Sequence, residues 1–428
     1  MIATARRFTT DDRFYFCHPE TLDISEALPP KLHKRCDDAL YLVNTIMRQH
    51  AYGRCDEGGR VTLEKKELDK VMAKDDSRVV IEALTERDVL DRDFYKCGQK
   101  SYGYMLHPRF VADRAAMTEC RDRRLMRAWA KYRQQGRDAQ MARWQQVHHD
   151  LAAQQWRLGI DLDQAMEIIA SLEQEDNQYD AQRILVSDIA ERRFRLSVGT
   201  WGRVSNNITS LKRELRKSLR FHGRPLEQVD LKNSQPTFLS HLVQRNPIQP
   251  TNRPDPQTHY DSENQIREKS RRYAEATGEG LFYEHFADLL EKEDVKMPAE
   301  PNRRDWIKRR VMADVLAKRR TKNGGEYASD VENVFRKYFP AEWRYARTLN
   351  RTGAVDEHAN LIRRLQREES GLVIHDVAVG VIARTDAFTM TLHDAILTGV
   401  GDGQQIDAEF LRAFRDRGVK METKIDPA

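Results

Sequence analysis

Two aspartates far apart in the chain have the settings that point most directly to chemistry. Asp230 lies near the end of a strand-like run, Leu226–Leu231, and a polar turn then leads into an apolar helix predicted to begin near Pro236. Asp394 follows His393 between two β-rich runs, which predicts a hairpin with the acid at its tip. If the two strands are neighbours, the carboxylates face each other and form a Mg²⁺ site. Two such ions suit in-line nucleotidyl transfer, because they lower the charge barrier on the attacking and leaving oxygens together.

These two segments resemble the palm of the family A polymerases, the group that joins bacterial repair-type DNA polymerases with the phage and mitochondrial single-subunit RNA polymerases. The family's first palm motif is an acid, a Ser-Gln-rich turn and then His-Leu eleven and twelve residues after the acid. Asp230 is followed at those offsets by His241 and Leu242. The last motif is His-Asp in a β-hairpin, which His393 and Asp394 match. The resemblance implies a right-hand palm built on an antiparallel sheet.

Three further features follow in the family's order between residues 201 and 428. Arg203 belongs to a Gly-Arg pair upstream of the first acid, Arg304 and Lys308 lie one turn apart on a predicted fingers helix, and Gln366 stands on a late helix. The resemblance implies that Arg304 and Lys308 clamp the triphosphate, the arginine through a bidentate fork and the lysine as a point charge. It also implies that Arg203 and Gln366 contact nucleic acid and that His393 helps to position the growing end. A basic helix that touches template phosphates, or nothing, is the alternative for Arg304 and Lys308.

The chain departs from the family at several of these places. Met312 stands where the family has an aromatic residue facing the incoming nucleotide, and Leu316 and Ala317 replace a later Tyr-Gly. Gln235 occupies the offset at which the DNA polymerases carry a Glu that crowds the sugar 2′ position, and Ala395 replaces an acid that often follows His-Asp. The choice between ribose and deoxyribose is therefore open, as is the choice between a DNA and an RNA template.

Composition is compatible with a nucleic-acid-binding protein without requiring one. The 428 residues are 39% hydrophobic and 32% charged, and Lys and Arg exceed Asp and Glu by five. The five cysteines are scattered, which argues against structural zinc and against a disulfide framework. There is no signal-peptide pattern, and the longest apolar stretch, residues 371–383, is too short to span a bilayer. We therefore expect no membrane association and a cytoplasmic location in a bacterial or phage-infected cell.

The chain is predicted to have a helix-rich α+β fold with four regions. They are an irregular arm (residues 1–35), a winged-helix-like DNA-binding module (36–110), a helical thumb-like region (111–200) and a palm with helical fingers (201–428, with the fingers at about 262–350). In the family, the thumb grips duplex by its phosphates. A helical linker with solvated charges is the alternative for the third region.

The order of three helices and a hairpin in residues 36–110 resembles a winged helix. Such a module commonly lays its third helix in the major groove and its hairpin against phosphates. Arg78 and Arg87 then belong to the third helix, and Lys100 belongs to the wing. The alternative is that these charges form an ordinary solvated face and that the module mediates protein contacts.

Taken together, these features predict a template-directed nucleic-acid polymerase of a phage, plasmid or mobile element. Asp230 and Asp394 hold two Mg²⁺ ions, with Mn²⁺ as an alternative, and Gln235 and Met312 also face the nucleotide. The expected partners are nucleoside triphosphates and DNA, as a primer–template or a promoter-like duplex, with RNA as an alternative. His393 belongs to the same site.

Two other functions compete with this prediction. The first is a winged-helix replication initiator or regulator whose polymerase-like scaffold is degenerate and non-catalytic. The second is a metal-dependent phosphohydrolase built on His375 and Asp376. The phosphohydrolase is disfavoured, because no further His at ligand spacing stands out upstream of that pair.

Overall fold

The computed structural model of the protein describes residues 14–73, 76–94, 102–110, 115–173, 180–246, 262–299, 301–318, 327, 329–351 and 360–428. Helices predominate among them, and the strands form small antiparallel sheets, so the predicted helix-rich α+β class is confirmed. The winged-helix and palm layouts stay predictions. Lys100 lies outside the described residues.

The helical elements begin near the N-terminus and continue almost to the end of the chain. The α-helices are α1 (Ile24–Ala27), α2 (Cys36–Ala51), α3 (Lys65–Leu68), α4 (Asp76–Glu86), α5 (Arg123–Met141), α6 (Gln146–Gln155), α7 (Leu162–Glu173), α8 (Asp180–Ala190), α9 (Arg213–Arg216), α10 (Ser234–Arg245), α11 (Glu263–Gly278), α12 (Phe282–Lys292), α13 (Arg303–Val311), α14 (Asp330–Tyr338), α15 (Pro340–Arg351), α16 (Asn360–Ser370), α17 (Val379–Arg384) and α18 (Gly403–Arg417). Two π-helical segments are Met312–Leu316 and Gly371–Ala378.

The strands are short. They are β1 (Tyr15–Pro19), β2 (Val61–Thr62), β3 (Leu90–Arg92), β4 (Gly103–Leu106), β5 (Ala115–Glu119), β6 (Leu158–Ile160), β7 (Leu196–Val198), β8 (Val204–Asn206), β9 (Leu219–Phe221), β10 (Leu226–Leu231), β11 (Met390–Leu392), β12 (Ala395–Gly399) and β13 (Thr423–Pro427).

The chain folds into two compact units whose bounds differ from those of the predicted regions. The first unit comprises residues up to 197 together with 205–226 and Ala428, and the second comprises 198–204 and 227–427. The predicted winged-helix-like and thumb-like regions thus share one unit. Residues 205–226, predicted as palm, also belong to it, because β9 pairs with β6.

The first unit has a core to which both of those predicted regions contribute. Trp129 of α5 packs against Phe14, Phe16 and Tyr41, with ring centroids 5.0, 5.5 and 5.3 Å away. The prediction of an irregular arm at residues 1–35 needs correction, because Tyr15–Pro19 form β1. This strand pairs antiparallel with β5. The partner strand lies about a hundred residues downstream, so no local sequence signal announces the pairing.

A three-stranded sheet of the first unit has the order β2-β4-β3. Helix α2, the first of the three helices predicted in this region, buries Leu40, Val43 and Ile46, which recur at helical spacing. The hairpin predicted for the wing is present, since β3 pairs antiparallel with β4 through Leu90 and Leu106.

The second unit contains a four-stranded sheet and a helical part. The sheet has the order β11-β12-β10-β13. In the helical part, α12 buries Phe282, Phe286 and Leu290, which recur every fourth residue, and the Phe282 ring lies among the rings of Tyr273 and Phe335. These helices fall in the range predicted as fingers. In the described part of the chain, no helix combines the length and the apolar character that crossing a bilayer requires.

Candidate active site

The first predicted acid lies where the sequence placed it, near the end of a strand. Val229 and Leu231 of β10 are buried, whereas Asp230 between them is half-buried and stands opposite Lys424 of β13. The strand gives way to α10 at Asn233, which takes a left-handed φ of 53° that Asn tolerates better than most residues. This turn brings the first residues of α10 close behind Asp230.

The second predicted acid lies at a hairpin tip, as expected. Leu392 of β11 pairs with Ala395 of β12, so His393 and Asp394 alone form the connection. His393 has a φ of 56°, the left-handed geometry that two-residue hairpin turns favour, and it is exposed to solvent. Asp394 is half-buried.

The two acids reach the same edge of one sheet. Strand β12 neighbours β10, and the backbone N–H of Leu231 donates to the carbonyl oxygen of Asp394 at 3.2 Å. The Ser234 hydroxyl, from the first residue of α10, donates to Oδ2 of Asp394 at 2.9 Å. One backbone hydrogen bond and one side-chain hydrogen bond therefore join the segment that follows Asp230 to Asp394, although most of the second unit separates them in sequence.

The pair carries electrostatic strain. Burial raises the pKa of Asp230 to about 7, the negative charge of Asp394 adds to the rise, and the positive charge of Lys308 opposes it. Two carboxylates that share a partly buried site resist being ionised together. A divalent cation bound beside both carboxylates would offset this repulsion.

Glu369 of α16 is a third carboxyl group, and it interacts electrostatically with Asp394. Its side chain is 2% exposed, and burial together with the charge of Asp394 raises its pKa to about 7. It accepts a hydrogen bond from Nη2 of Arg203 at 2.6 Å and another from Nε2 of Gln235 at 2.8 Å. Glu369 therefore joins two predicted site residues, and Arg203 is held by this carboxylate.

The turn that carries Arg203 is fixed to α16 by further contacts. The guanidinium groups of Arg363 and Arg367 each lie 5.2 Å from the ring centroid of Trp201. Gln366, the predicted nucleic-acid ligand, lies half-buried on the same helix between them.

The predicted triphosphate ligands lie on α13, and their surroundings differ. Lys308 is exposed, and its charge acts on Asp230. Nε of Arg304 donates to Glu284 at 2.9 Å, and its guanidinium lies 5.3 Å from the ring centroid of Tyr283. Met312 begins the π-helical segment that continues α13. Such segments occur frequently at functional sites.

Tyr283 connects α12 to this group. It is buried, and burial raises the pKa of its phenol; the charge of Arg304 opposes the rise and that of Asp394 adds to it. Tyr283 thus lies within the field of the hairpin acid.

Two residues with clear contacts in the site were missed by sequence reasoning. Glu369 had a detectable signal: Leu361 and Leu365 are buried at four-residue spacing on α16, and the next position of that stripe is an acid. A carboxylate on an apolar stripe calls for a buried partner. Ser234 offered no comparable signal, since a serine in a turn has many roles.

The other predicted residues lie apart from this group in their contacts. Arg78 of α4 and Arg87 just after it belong to the first unit, and both are exposed. Asp376, of the disfavoured phosphohydrolase pair, is ion-paired with Arg417. That pairing gives the aspartate a structural role.

The two acids can be compared with what Mg²⁺ requires of its ligands. No group of three or more His, Cys, Asp and Glu side chains within the described ranges could hold a metal ion. Mg²⁺, however, is usually bound by one or two carboxylates together with substrate phosphates and water. Asp230 and Asp394 fit that mode of binding, because they are two carboxylates at one edge of a sheet, and burial and then the charge of Asp394 raise the pKa of Asp230.

Comparisons with known proteins add little. No family model matches the chain, and no curated protein matches it. Among solved structures, the chain is similar to the POL domain of Pol1 from M. smegmatis in a complex with DNA primer-template and dNTP. The two are 12% identical, the match covers 71% of this chain and 74% of that one, and the TM-score is 0.29. A likeness at this level establishes neither the fold nor the function of this chain.

Proposed function

We propose that the protein is a template-directed nucleic-acid polymerase, a nucleotidyltransferase that uses Asp230 and Asp394 as metal ligands. The observation that carries the proposal is the meeting of these two acids: strands β10 and β12 are neighbours, and Leu231 bonds to Asp394. The resemblance of both segments to palm motifs supplies the reaction class. Mg²⁺ is the expected cofactor, and primer–template and nucleoside triphosphates are the expected substrates.

In the reaction, a 3′-hydroxyl oxygen attacks the α-phosphorus of the nucleotide and releases its proton to solvent, the new P–O bond forms, and the bond to the departing pyrophosphate breaks. Mg²⁺ held by Asp230 and Asp394 would neutralise charge on the attacking and the leaving oxygen. The protein contributes position: Asp230 and Asp394 fix the metal site, and the Ser234 hydroxyl orients the Asp394 carboxylate. The positive charge of Lys308 acts on Asp230 and suits the phosphates of the nucleotide. Catalysis is then mainly positioning and charge stabilisation.

Lys308 provides a prediction for nucleotide binding. Lys308→Ala is expected to raise the KM for the nucleotide about tenfold to a hundredfold with a smaller change in kcat, because the variant cannot make a charge-assisted bond to phosphate. Steady-state kinetics on a primer–template check this. Arg309→Ala, at an exposed neighbouring position, is the matched control. Equal effects of the two substitutions would show that only general charge matters.

We further propose that residues 36–110 form a winged-helix-like DNA-binding module. The chain order α2, β2, α3, α4, β3 and β4, with sheet order β2-β4-β3, supports this. The exposed Arg78 and Arg87 lie on and just after the third helix of the module.

The double variant Arg78→Ala, Arg87→Ala is expected to weaken duplex binding. The slope of log K against the logarithm of the salt concentration should decrease in magnitude by about one for each phosphate that the variant no longer binds. Fluorescence anisotropy at several salt concentrations measures both effects. Lys31→Ala with Lys34→Ala removes two exposed charges outside α4 and serves as the control. A salt slope that is unchanged in the Arg78 and Arg87 variant would favour the protein-contact role.

The activity itself is tested by incubation with Mg²⁺, labelled nucleotides and a primer–template, using dNTPs and NTPs in parallel. Product that depends on Asp394 supports the polymerase. Absence of product on every DNA and RNA substrate, with tight duplex binding retained, would favour the non-catalytic initiator or regulator. The parallel assays also decide the sugar preference that Gln235 leaves open.

A further inference from the structure

Helix α13 carries a second pair of residues, Trp306 and Arg310, which are also one turn apart. Trp306 comes two positions after Arg304, and Arg310 comes two positions after Lys308. Two positions correspond to about 200° around a helix, so the second pair lies on the side away from the first. Both line a cavity of about 630 Å³, which we call the α13 cavity. This volume lies within the range of small-ligand sites.

The α13 cavity has an aromatic wall and an apolar floor. Trp306 is half-buried, and the valines at positions 295, 331 and 334 line the same space. An indole on an otherwise strongly basic helix, beside aliphatic side chains, offers a flat apolar surface for a planar group. Aromatic ligands and nucleobases are the groups that stack on such a surface.

The charges around the α13 cavity balance. Three basic and three acidic side chains line it, namely Lys296, Arg310 and Lys337, and Glu293, Asp294 and Asp330. Lys337 is already paired with Glu293 at 2.7 Å. A polyphosphate would meet as many repelling as attracting charges, so the lining favours a neutral group that both donates and accepts hydrogen bonds. Asn333, whose amide can do both, lies at the same rim.

Arg310 is held in place for this role. Its Nη2 pairs with Oδ2 of Asp314 at 2.7 Å, and Asp314 is buried. Asp314 in turn accepts from the hydroxyls of Ser329 at 2.7 Å and Tyr327 at 2.8 Å. The Nε hydrogen of Arg310 is buried and meets no acceptor in the part of the chain that the structure describes. Because this Nε is buried, a ligand in the cavity would meet the Nη hydrogens that Asp314 does not use, on a side chain that is 41% exposed.

We propose that the α13 cavity binds an unpaired nucleobase of a single-stranded nucleic acid. The base stacks on Trp306, and its edge meets the donors and acceptors of Arg310, Asn333 and the acidic rim. A base is planar, neutral and carries both hydrogen-bonding types, so it matches the shape and the charge balance together. The proposal concerns binding alone and goes beyond the polymerase reaction, since the chemistry assigned to Asp230 and Asp394 uses none of these residues.

The test compares two short single strands of equal length and charge, an oligothymidine and an abasic strand. Trp306→Ala is expected to weaken oligothymidine binding about tenfold, the loss typical of one stacked base, and Trp306→Phe to restore most of it. Affinity for the abasic strand should be equal in all three proteins. The measurement is made in EDTA and without nucleotide, so it does not depend on a metal at Asp230 and Asp394, and failure of the polymerase proposal does not affect it.

A second experiment uses the unsubstituted protein. An oligothymidine carrying a photoactivatable 4-thiothymidine should crosslink to Trp306 or to residues 293–296, which line the cavity. Crosslinks found only elsewhere would overturn the proposal, as would equal oligothymidine affinity of wild type and Trp306→Ala. Equal loss of affinity for both strands in Trp306→Ala would also overturn it, because the phosphates, and not the base, would then account for the binding.

Discussion

Asp394→Asn is expected to reduce nucleotide incorporation by at least about a thousandfold while leaving the fold intact, because the pair of carboxylates that holds Mg²⁺ loses one member. Asparagine keeps the shape of the side chain and still accepts the hydrogen bond that Ser234 gives to Asp394 at 2.9 Å. The bond from Leu231 uses the backbone carbonyl and is not altered. The change therefore removes a charge and little else. Primer extension with labelled nucleotides measures the effect.

The matched control for this substitution is Asp402→Asn. Asp402 lies beyond the other end of β12, just before α18, and its side chain makes no capping hydrogen bond to that helix. Asp402→Asn also removes one negative charge, and it should leave nucleotide incorporation within about twofold of wild type. If both variants lost activity equally, charge balance of the sheet and not a metal site would explain the result. If Asp394→Asn kept full activity, the assignment of Asp394 would fail.

Asp230→Asn is expected to stabilise the metal-free protein at pH 8, by up to about 4 kcal/mol. The pKa of Asp230 is raised from its ordinary 3.8 to about 7, first by burial and then by the charge of Asp394. The folded state therefore binds this proton more tightly than the unfolded state. Stability falls as pH rises between about 4 and 7, and the whole penalty is present at pH 8. Asparagine carries no charge, so the variant does not lose stability in this way as the pH rises.

The same experiment separates repulsion from metal binding. Near pH 4, wild type and Asp230→Asn should have similar free energies of unfolding, since the carboxyl is protonated in the folded state. Mg²⁺ at about ten times its dissociation constant should stabilise wild type by about 1.4 kcal/mol, and the variant much less. Urea denaturation at both pH values, with and without Mg²⁺, measures these differences. Equal stabilisation of both proteins by Mg²⁺ would place the ion elsewhere.

Local patterns in the sequence predicted the parts of the site that depend on neighbouring residues. Strand β10 and the hairpin β11–β12 were both foreseen, because alternation and turn residues act over a few positions. The resemblance of the two segments to palm motifs then led to the expectation that Asp230 and Asp394 meet. Their strands are neighbours in one sheet.

Contacts between distant segments were not foreseen. Strand β1 pairs with β5 across about a hundred residues, and the aromatic contact of Trp129 with Phe16 joins two regions that were predicted as separate domains. The bridge from Arg203 through Glu369 to Gln235 likewise joins three segments. Each of these residues is unremarkable in its own stretch of sequence, so only the tertiary fold gives it a partner.

Glu369 also changes how Arg203 and Gln235 should be understood. Arg203 was predicted to contact nucleic acid, and Gln235 was predicted to face the nucleotide. Both now have a shared carboxylate partner, whose pKa burial raises to about 7. Their contact with substrate thus stays a prediction, and it depends on how Glu369 orients them.

Binding of one divalent ion by both Asp230 and Asp394 is the central claim, and diffraction from crystals grown with Mn²⁺ and a non-hydrolysable nucleotide tests it most directly. Mn²⁺ replaces Mg²⁺ at oxygen sites and scatters anomalously. We expect an anomalous peak that marks a Mn²⁺ ion within bonding distance of carboxylate oxygens of Asp230 and Asp394 and of phosphate oxygens of the nucleotide. Ordered nucleotide with no such peak, or a Mn²⁺ ion bound at other residues only, would contradict the claim.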